Sequence, residues 1–288
     1  MRRSSIITII ILILVIICLI VALVVTNLGK NDEEKEITIS ENKESLKNNE
    51  EEKEEPVNVS LDSQVVKDMY ELLNHQIFHY FKKGYITAET LSDDYIQTIA
   101  YYKEAKNHVE EITLENSPNI SGRLDKKYMD EAVKKIFGDI EYEPTGALYQ
   151  DGVYEITYDA NDGVYYRGSG FGGASNFGTY TAITKVEEYS DKYIVTEKLV
   201  SVELDYQTPI GIFNVYSYYG IHFQYAGYLG VLRENEIENL KVNHEMYSTD
   251  EKGKKIISLY YDDATEYKHT FVKNEDGSFY WQKTEIVK

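Results

Sequence analysis

The chain has 288 residues and carries 49 acidic against 30 basic side chains, a formal net charge of −19 at pH 7. This charge disfavours nucleic acid as a partner and repels anionic lipid headgroups and wall polymers, which leaves neutral glycans, peptides and other proteins. The single cysteine, Cys18, lies in an apolar stretch, so the chain beyond that stretch has no disulfide and depends on its core for stability.

That apolar stretch runs from Ile6 to Val25 and is interrupted only by Thr8 and Cys18. As a helix rising 1.5 Å per residue it spans about 30 Å, the thickness of the hydrocarbon core of a bilayer. It is longer than the apolar core of a cleaved signal peptide, about 7 to 15 residues, and no A-x-A pattern follows it. The sequence therefore predicts an uncleaved, single-pass transmembrane anchor within residues 1–29.

The flanking charges predict the orientation of this anchor. Arg2 and Arg3 directly precede the apolar run, which favours a cytoplasmic N-terminus. Lys30, Lys35 and Lys43 on the other side oppose this, but they lie farther away, and a long following domain is exported largely regardless of its charge. We therefore expect a cell-membrane protein whose C-terminal domain is extracytoplasmic.

The linker, residues 30–60, has the composition of a disordered tether. Between Lys30 and Pro56 there are eleven acidic and five basic residues but only three large apolar ones, too few to offset chain entropy by burial. As a flexible coil it would average roughly 30 Å from end to end.

Residues 61–140 predict three short helices. The first begins at Leu61 and ends at Gly84, and it carries His75 and His79 one turn apart. At 100° per residue His75 lies opposite the apolar stripe, and the glutamate of H-E-x-x-H is missing, so we predict no metal site. The stripe comprises Val66, Met69, Leu73, Ile77 and Tyr80.

The second and third helices have clear termini. Ser92 is the expected N-cap of the second, with Asp93 and Asp94 in its first turn. The third is expected to start after Asp125 and to stop at Gly138.

After Pro144 the apolar period changes to two, which is typical of strands. Because the predicted strands are joined by short links, they are expected to be antiparallel neighbours. We predict an α+β domain in which the three helices precede an antiparallel β meander or open barrel over residues 141–288. The expected strands include Tyr154 to Tyr158, Val164 to Arg167, Thr179 to Glu188, Tyr193 to Leu204, Lys254 to Asp262, His269 to Lys273 and Ser278 to Val287.

Several catalytic and ligand motifs fail in their context. Gly168, Gly170 and Gly173 satisfy G-x-G-x-x-G, but an alternating β-branched segment follows where a dinucleotide fingerprint needs a helix. The segment from Asp159 to Gly163 is similar to the start of a calcium loop, but its glycine comes one position early and strands flank it. We assign no catalytic residue, cofactor or metal, although paired strand carboxylates for glycoside hydrolysis stay open. Those carboxylates are Glu155, Asp159, Glu187, Glu197 and Glu203.

One stretch differs from the rest: Tyr206 to Leu232 contains no charged residue, although 27% of the chain is charged. The interpretation we favour is two central strands buried on both faces, because uninterrupted apolar runs are typical of such strands. The alternative is an aromatic surface that binds a glycan or a peptide. Its binding residues would be Tyr216, Tyr218, Tyr219, His222, Tyr225 and Tyr228.

The general plan resembles that of signal-anchored surface proteins of Gram-positive-type bacteria, a class that shares topology rather than chemistry. The resemblance therefore assigns a role to no residue. Two hypotheses follow: a non-catalytic envelope protein that binds or senses a neutral glycan, peptide or protein, or an envelope hydrolase whose site no linear motif reveals. We favour the first, because every linear catalytic motif fails in its context.

Overall fold

The computed structural model describes residues 55–73, 86–113, 117, 119–150, 153–169, 177–204, 211–220 and 224–287. The predicted anchor at Ile6 to Val25 and nearly all of the predicted linker lie outside these residues. Within the described ranges, no helix is both long enough and apolar enough to cross a bilayer.

The fold is α+β, as the sequence predicts, and every pairing between the described strands is antiparallel. The α-helices are α1 (Gln64–Leu73), α2 (Asp93–Lys103), α3 (Lys126–Phe137), α4 (Glu234–Asn239) and α5 (Glu251–Leu259). The strands are β1 (Val57–Asn58), β2 (Ile86–Thr87), β3 (Glu110–Glu111), β4 (Ile120–Asp125), β5 (Gly146–Gln150), β6 (Val153–Asp159), β7 (Val164–Gly168), β8 (Phe177–Glu188), β9 (Lys192–Leu204), β10 (Ile212–Gly220), β11 (Gln224–Arg233), β12 (Thr265–Lys273) and β13 (Phe279–Ile286).

These strands form two sheets, which differs from the single meander or open barrel expected from the sequence. The larger sheet has eight strands and contains the path β1-β8-β9-β12-β13-β2, with β10 also paired to β9 and β11 paired to β10. The smaller sheet has the order β3-β4-β7-β6-β5. Alternation along a strand indicates its two faces but carries no information on its neighbours, so the sequence could not divide the strands between sheets.

Helices α2 and α3 begin where the sequence predicts, and α3 also ends where it predicts. Ser92 is the N-cap of α2, and Asp125 is the N-cap of α3. Gly138 follows α3 with a φ of 76°, a left-handed conformation that glycine adopts without a steric penalty. The first predicted helix is described only up to Leu73, and both His75 and His79 lie outside the described residues.

The predicted strand from Lys254 to Asp262 is wrong, because most of it lies in helix α5. Asp250 caps this helix by accepting a hydrogen bond of 2.9 Å from the backbone N–H of Gly253. Ile256 and Ile257 are adjacent and both fully buried, a pattern that a helix accommodates on one broad face. A short apolar segment fits both the helical period of 3.6 residues and the strand period of two. The Asp250 cap is the local signal that favours the helix.

Two clusters of buried apolar side chains hold the elements together. The larger joins α1, α2 and α3 to both sheets and includes Met69, Ile99, Ile136, Tyr165, Phe271 and Trp281. The smaller fills the space between the other end of the larger sheet and helices α4 and α5. Its members include Val200, Val202, Val215, Leu232, Ile237 and Ile257.

The two glycine-bearing segments that are similar to ligand motifs connect strands. Gly168 ends β7 and Phe177 begins β8, so a strand follows the glycines where a dinucleotide site would need a helix. Asp159 begins a hairpin turn by accepting a hydrogen bond of 2.8 Å from the backbone N–H of Asn161, and Gly163 completes the turn with a φ of 69°.

Candidate binding surface on the tyrosine strands

The uncharged stretch contributes strands β10 and β11, which place two tyrosines side by side. Tyr216 and Tyr228 are directly opposite each other in the antiparallel register. Their ring centroids are 5.7 Å apart at an interplanar angle of 64°, an edge-on contact favoured by aromatic pairs. A register shift between Val215 and Tyr216 marks a β-bulge immediately beside this pair.

The pair continues a row of hydroxyl side chains across four strands. Thr179 of β8 is opposite Ser201 of β9, Ser201 is opposite Tyr216, and Tyr216 is opposite Tyr228. Because directly opposed residues project from the same face, all four share one side of the sheet. With neighbouring strands about 4.8 Å apart, the row spans about 14 Å. Glu203 lies beside it and accepts a hydrogen bond of 3.4 Å from the Tyr216 hydroxyl.

The predicted burial of both faces is wrong for these strands. Val215 and Leu232 are buried in the smaller core on one face, whereas Tyr228 is 60% exposed and Val231 is 47% exposed. Within the described residues β11 pairs only with β10, so it is an edge strand rather than a central one. The run lacks charges because its buried face is apolar and its other face carries neutral hydroxyls. Composition therefore could not show whether one face or both faces are buried.

The phenol of Tyr216 stays protonated at neutral pH. Burial, followed by the nearby carboxylate of Glu203, raises the pKa of Tyr216 above its usual range. Protonated phenols donate one hydrogen bond and accept others, so the surface offers neutral donors beside the acceptor oxygens of Glu203. We call Tyr216, Tyr228 and Glu203 the tyrosine face.

The structure places the other predicted binding residues only in part. Tyr218 is opposite Ala226 and Tyr219 is opposite Tyr225 in the β10–β11 register, which describes their backbone positions. His222 lies outside the described residues. The sequence indicated Glu203 only as one of the strand carboxylates, because Glu203 meets Tyr216 only in the folded chain.

The five strand carboxylates considered for glycoside hydrolysis have five separate sets of partners. None of these partner sets includes another carboxylate of the five. In the described ranges, no three His, Cys, Asp or Glu side chains are grouped as a metal site would need. The partners are Tyr101, Tyr102 and Lys106 for Glu155, the N–H of Asn161 for Asp159, Lys185 for Glu187, His269 for Glu197 and Tyr216 for Glu203.

Comparison of the chain with known protein families, with curated protein sequences and with solved structures finds no match. The function is therefore argued from the geometry of the chain itself.

Proposed function

We propose that this protein is a membrane-anchored, extracytoplasmic binding protein and that its tyrosine face binds a neutral glycan without catalysing a reaction on it. The observation that carries this proposal is the exposed Tyr228 ring packed edge-on against Tyr216, beside the carboxylate of Glu203. An exposed aromatic ring next to a hydrogen-bonding carboxylate is typical of a surface that contributes binding energy rather than folding energy.

A neutral, hydroxyl-rich ligand matches this surface in both shape and charge. Tyrosine rings supply flat apolar area for the C–H faces of a sugar, and their hydroxyls supply hydrogen bonds at the rim. Glu203 accepts hydrogen bonds from sugar hydroxyls. A ligand of this class also avoids the repulsion that a chain of net charge −19 exerts on anionic polymers.

The N-terminal segments fit such a role. The anchor at Ile6 to Val25 holds the chain in the cell membrane, and an acidic tether of about 30 residues separates the folded part from the bilayer by roughly 30 Å on average. Like charges along the tether lengthen it further.

Sedimentation with an insoluble neutral glycan tests the proposal. The full chain in mild detergent is mixed with wall glycan that has been stripped of anionic polymers, and the bound fraction is measured. We expect Tyr228→Ala and Tyr216→Ala to lower the association constant about tenfold or more, because hot-spot aromatics contribute on the order of 2 kcal/mol. Tyr154→Ala is the matched control, since Tyr154 is another partly exposed strand tyrosine, on the smaller sheet.

Two results would contradict the proposal. Wild-type protein that does not sediment with the glycan would exclude this ligand class, and equal loss in Tyr154→Ala would show that the contact is not specific to the tyrosine face. New reducing ends in the glycan after incubation would show that the protein is a hydrolase instead.

A further inference from the structure

A concave site lies at the outer edge of β8, beyond the end of the hydroxyl row. This open pocket has a volume of about 600 Å³ and lies between helix α1, the edge of β8 and the first turn of helix α5. Thr179 belongs both to this pocket and to the hydroxyl row, but the other lining residues have no part in the tyrosine face. They include Tyr70, Thr181, Thr249, Asp250 and Lys252.

The floor of the pocket is a part of the β8 edge that pairs with no described strand. Val57 and Asn58 of β1 cover the far end of β8, and Tyr247 covers Ile183 with two backbone hydrogen bonds of 2.8 and 2.9 Å. From Thr181 back to Phe177, no described strand pairs with this edge.

The register fixes which backbone groups face the pocket side. In an antiparallel strand the N–H and C=O groups of every second residue point to the same side. Ile183 directs both of its groups away from β9 and toward Tyr247, so Thr181 and Thr179 direct theirs to the same outer side. Tyr247 begins a ladder of backbone hydrogen bonds along this edge. An added strand could continue that ladder at Thr181 and Thr179.

Side chains in the pocket also offer unused hydrogen-bonding capacity. The buried hydroxyl of Thr181 has no hydrogen-bond partner among the described residues. Buried polar groups without partners are rare in native proteins and call for an explanation such as a bound group. Thr249, which follows Tyr247 by two residues, lines the same pocket and adds a second hydroxyl.

Acidic side chains outnumber basic ones around the pocket by three to two. Lys252 has its ammonium 3.4 Å from Glu234, and Lys254 has its ammonium 2.6 Å from Glu251. Asp250, at the start of α5, forms no ion pair within the described residues. Burial raises the pKa of Tyr180 to about 12, with further contributions from Asp250 and Glu234, so the phenol sits in a negative field. This field disfavours an anion at the helix N-terminus and attracts a cation.

We propose that the free edge of β8 at Thr179 and Thr181 binds an extended peptide of a partner protein, which adds as a strand and carries a lysine or arginine toward Asp250. Strand addition uses the outward backbone groups for affinity and the neighbouring pocket for specificity. A glycan would leave the regularly spaced backbone groups of this edge unmatched, so the peptide is the ligand class that fits. This site is separate from the tyrosine face, and its failure would leave the proposed glycan binding untouched.

The test selects peptides from a displayed library of random twelve-residue sequences on the full chain in mild detergent. We expect enrichment of alternating, β-branched sequences with a basic residue. Thr179→Pro should weaken their binding at least tenfold, because proline removes the outward N–H that the added strand needs. That N–H takes no part in the β8–β9 ladder, so the fold is expected to tolerate the change. Thr179→Ala is the matched comparison, because it keeps the N–H and removes only the side chain, so it should weaken binding less than Thr179→Pro does.

Two further measurements complete the test. Asp250→Asn removes the carboxylate charge but keeps a residue that can cap helix α5, and it should weaken basic peptides more than neutral ones. If Thr179→Pro does not fold, hydrogen exchange of the wild type decides the question, because a bound peptide must slow exchange at the amides of Thr179 and Thr181. Selected peptides that bind Thr179→Pro as tightly as the wild type, protect neither amide, or fail to appear at all would overturn the proposal.

Discussion

His269 Nε2 lies 3.0 Å from Glu197 Oε2 in the interior of the larger sheet, and neither side chain has any exposed surface. On the other side of the ring, His269 Nδ1 lies 2.7 Å from the hydroxyl of Thr284, which also accepts a hydrogen bond of 3.0 Å from the indole N–H of Trp281. One buried chain of hydrogen-bonded side chains thus connects the three strands β9, β12 and β13. Such a chain stabilises the fold only while each member keeps its partners.

The first prediction concerns this pair. Replacing His269 with leucine should lower the free energy of unfolding by about 3 to 5 kcal/mol, because it leaves the carboxylate of Glu197 buried without its partner. The double variant Glu197→Leu/His269→Leu should recover much of that loss, since neither member of the pair is then buried without the other. Urea unfolding of the full chain, followed by the fluorescence of Trp281, measures both, because the chain has one tryptophan and it is buried. Equal stability of His269→Leu and wild type would contradict the prediction.

The second prediction concerns acid stability and Glu155, which connects helix α2 to the smaller sheet. Burial by itself would raise the pKa of Glu155, but hydrogen bonds from Tyr102, Lys106 and Tyr101 outweigh it, and the pKa lies below its usual range. The distances to the carboxylate oxygens are 2.5 Å for Tyr102, 3.0 Å for Lys106 and 2.9 Å for Tyr101. In the folded state the carboxylate is therefore harder to protonate than in the unfolded chain.

A depressed folded-state pKa gives stability that is present above the unfolded pKa, about 4.3 for glutamate, and that is lost as the pH falls through the folded value. Glu155→Gln should therefore unfold at a lower urea concentration than the wild type at pH 7, and the difference should shrink toward pH 3. Tyr102→Phe should show a smaller effect of the same sign, because it removes one donor. A difference that grows as the pH falls would show that Glu155 is not stabilised as an anion.

The third prediction separates packing from helix propensity at Gly253 in helix α5. Alanine is favoured over glycine in a helix by about 1 kcal/mol, so propensity alone predicts that Gly253→Ala stabilises the protein. A Cβ atom at this position would lie 2.8 Å from Cδ1 of the Tyr180 ring, closer than side chains pack. We therefore expect a net loss of about 1 kcal/mol or more in the free energy of unfolding. Adding Tyr180→Ala should reverse the sign of the Gly253→Ala effect, because the clashing ring is then absent.

The fourth prediction distinguishes binding from core residues on the tyrosine strands. Tyr228→Ala should change the free energy of unfolding by no more than about 0.5 kcal/mol, because its ring is mostly exposed. Val215→Ala is the core comparison on the opposite face, and it should cost more than 1 kcal/mol because Val215 is fully buried. Tyr216→Ala should fall between them. Strong destabilisation by Tyr228→Ala would assign this ring to the core and remove the tyrosine face as a binding surface.

The fifth prediction concerns topology. Protease added to intact, wall-stripped cells should cut within the lysine-containing tether between Lys30 and Pro56 and release the folded part, because we propose that it is extracytoplasmic. The membrane should retain a short N-terminal fragment. Protection of the chain until the cells are lysed would reverse the proposed orientation.

Sequence patterns predicted some elements well because local chemistry fixes them. Ser92 and Asp125 occupy the N-cap positions of α2 and α3 in extended backbone conformation, although neither side chain makes a capping hydrogen bond, and the left-handed Gly138 ends α3. The hairpin turn at Asp159 is equally local. By contrast, the segment from Lys254 to Asp262 was predicted as a strand, since a short apolar run with neighbouring isoleucines satisfies more than one period.

The sequence by itself determined the α+β class, the antiparallel pairing and the charge that limits the choice of ligands, because each follows from composition, local caps or link lengths. Only the tertiary structure decided that the strands form two sheets and that Tyr216 lies opposite Tyr228. It also decided that Glu197 meets His269 and that the edge of β8 is open beside Thr179. These are pairings between residues distant in the chain. Strand register and sheet order arise from the packing of whole faces, to which every element contributes, so no local pattern encodes them.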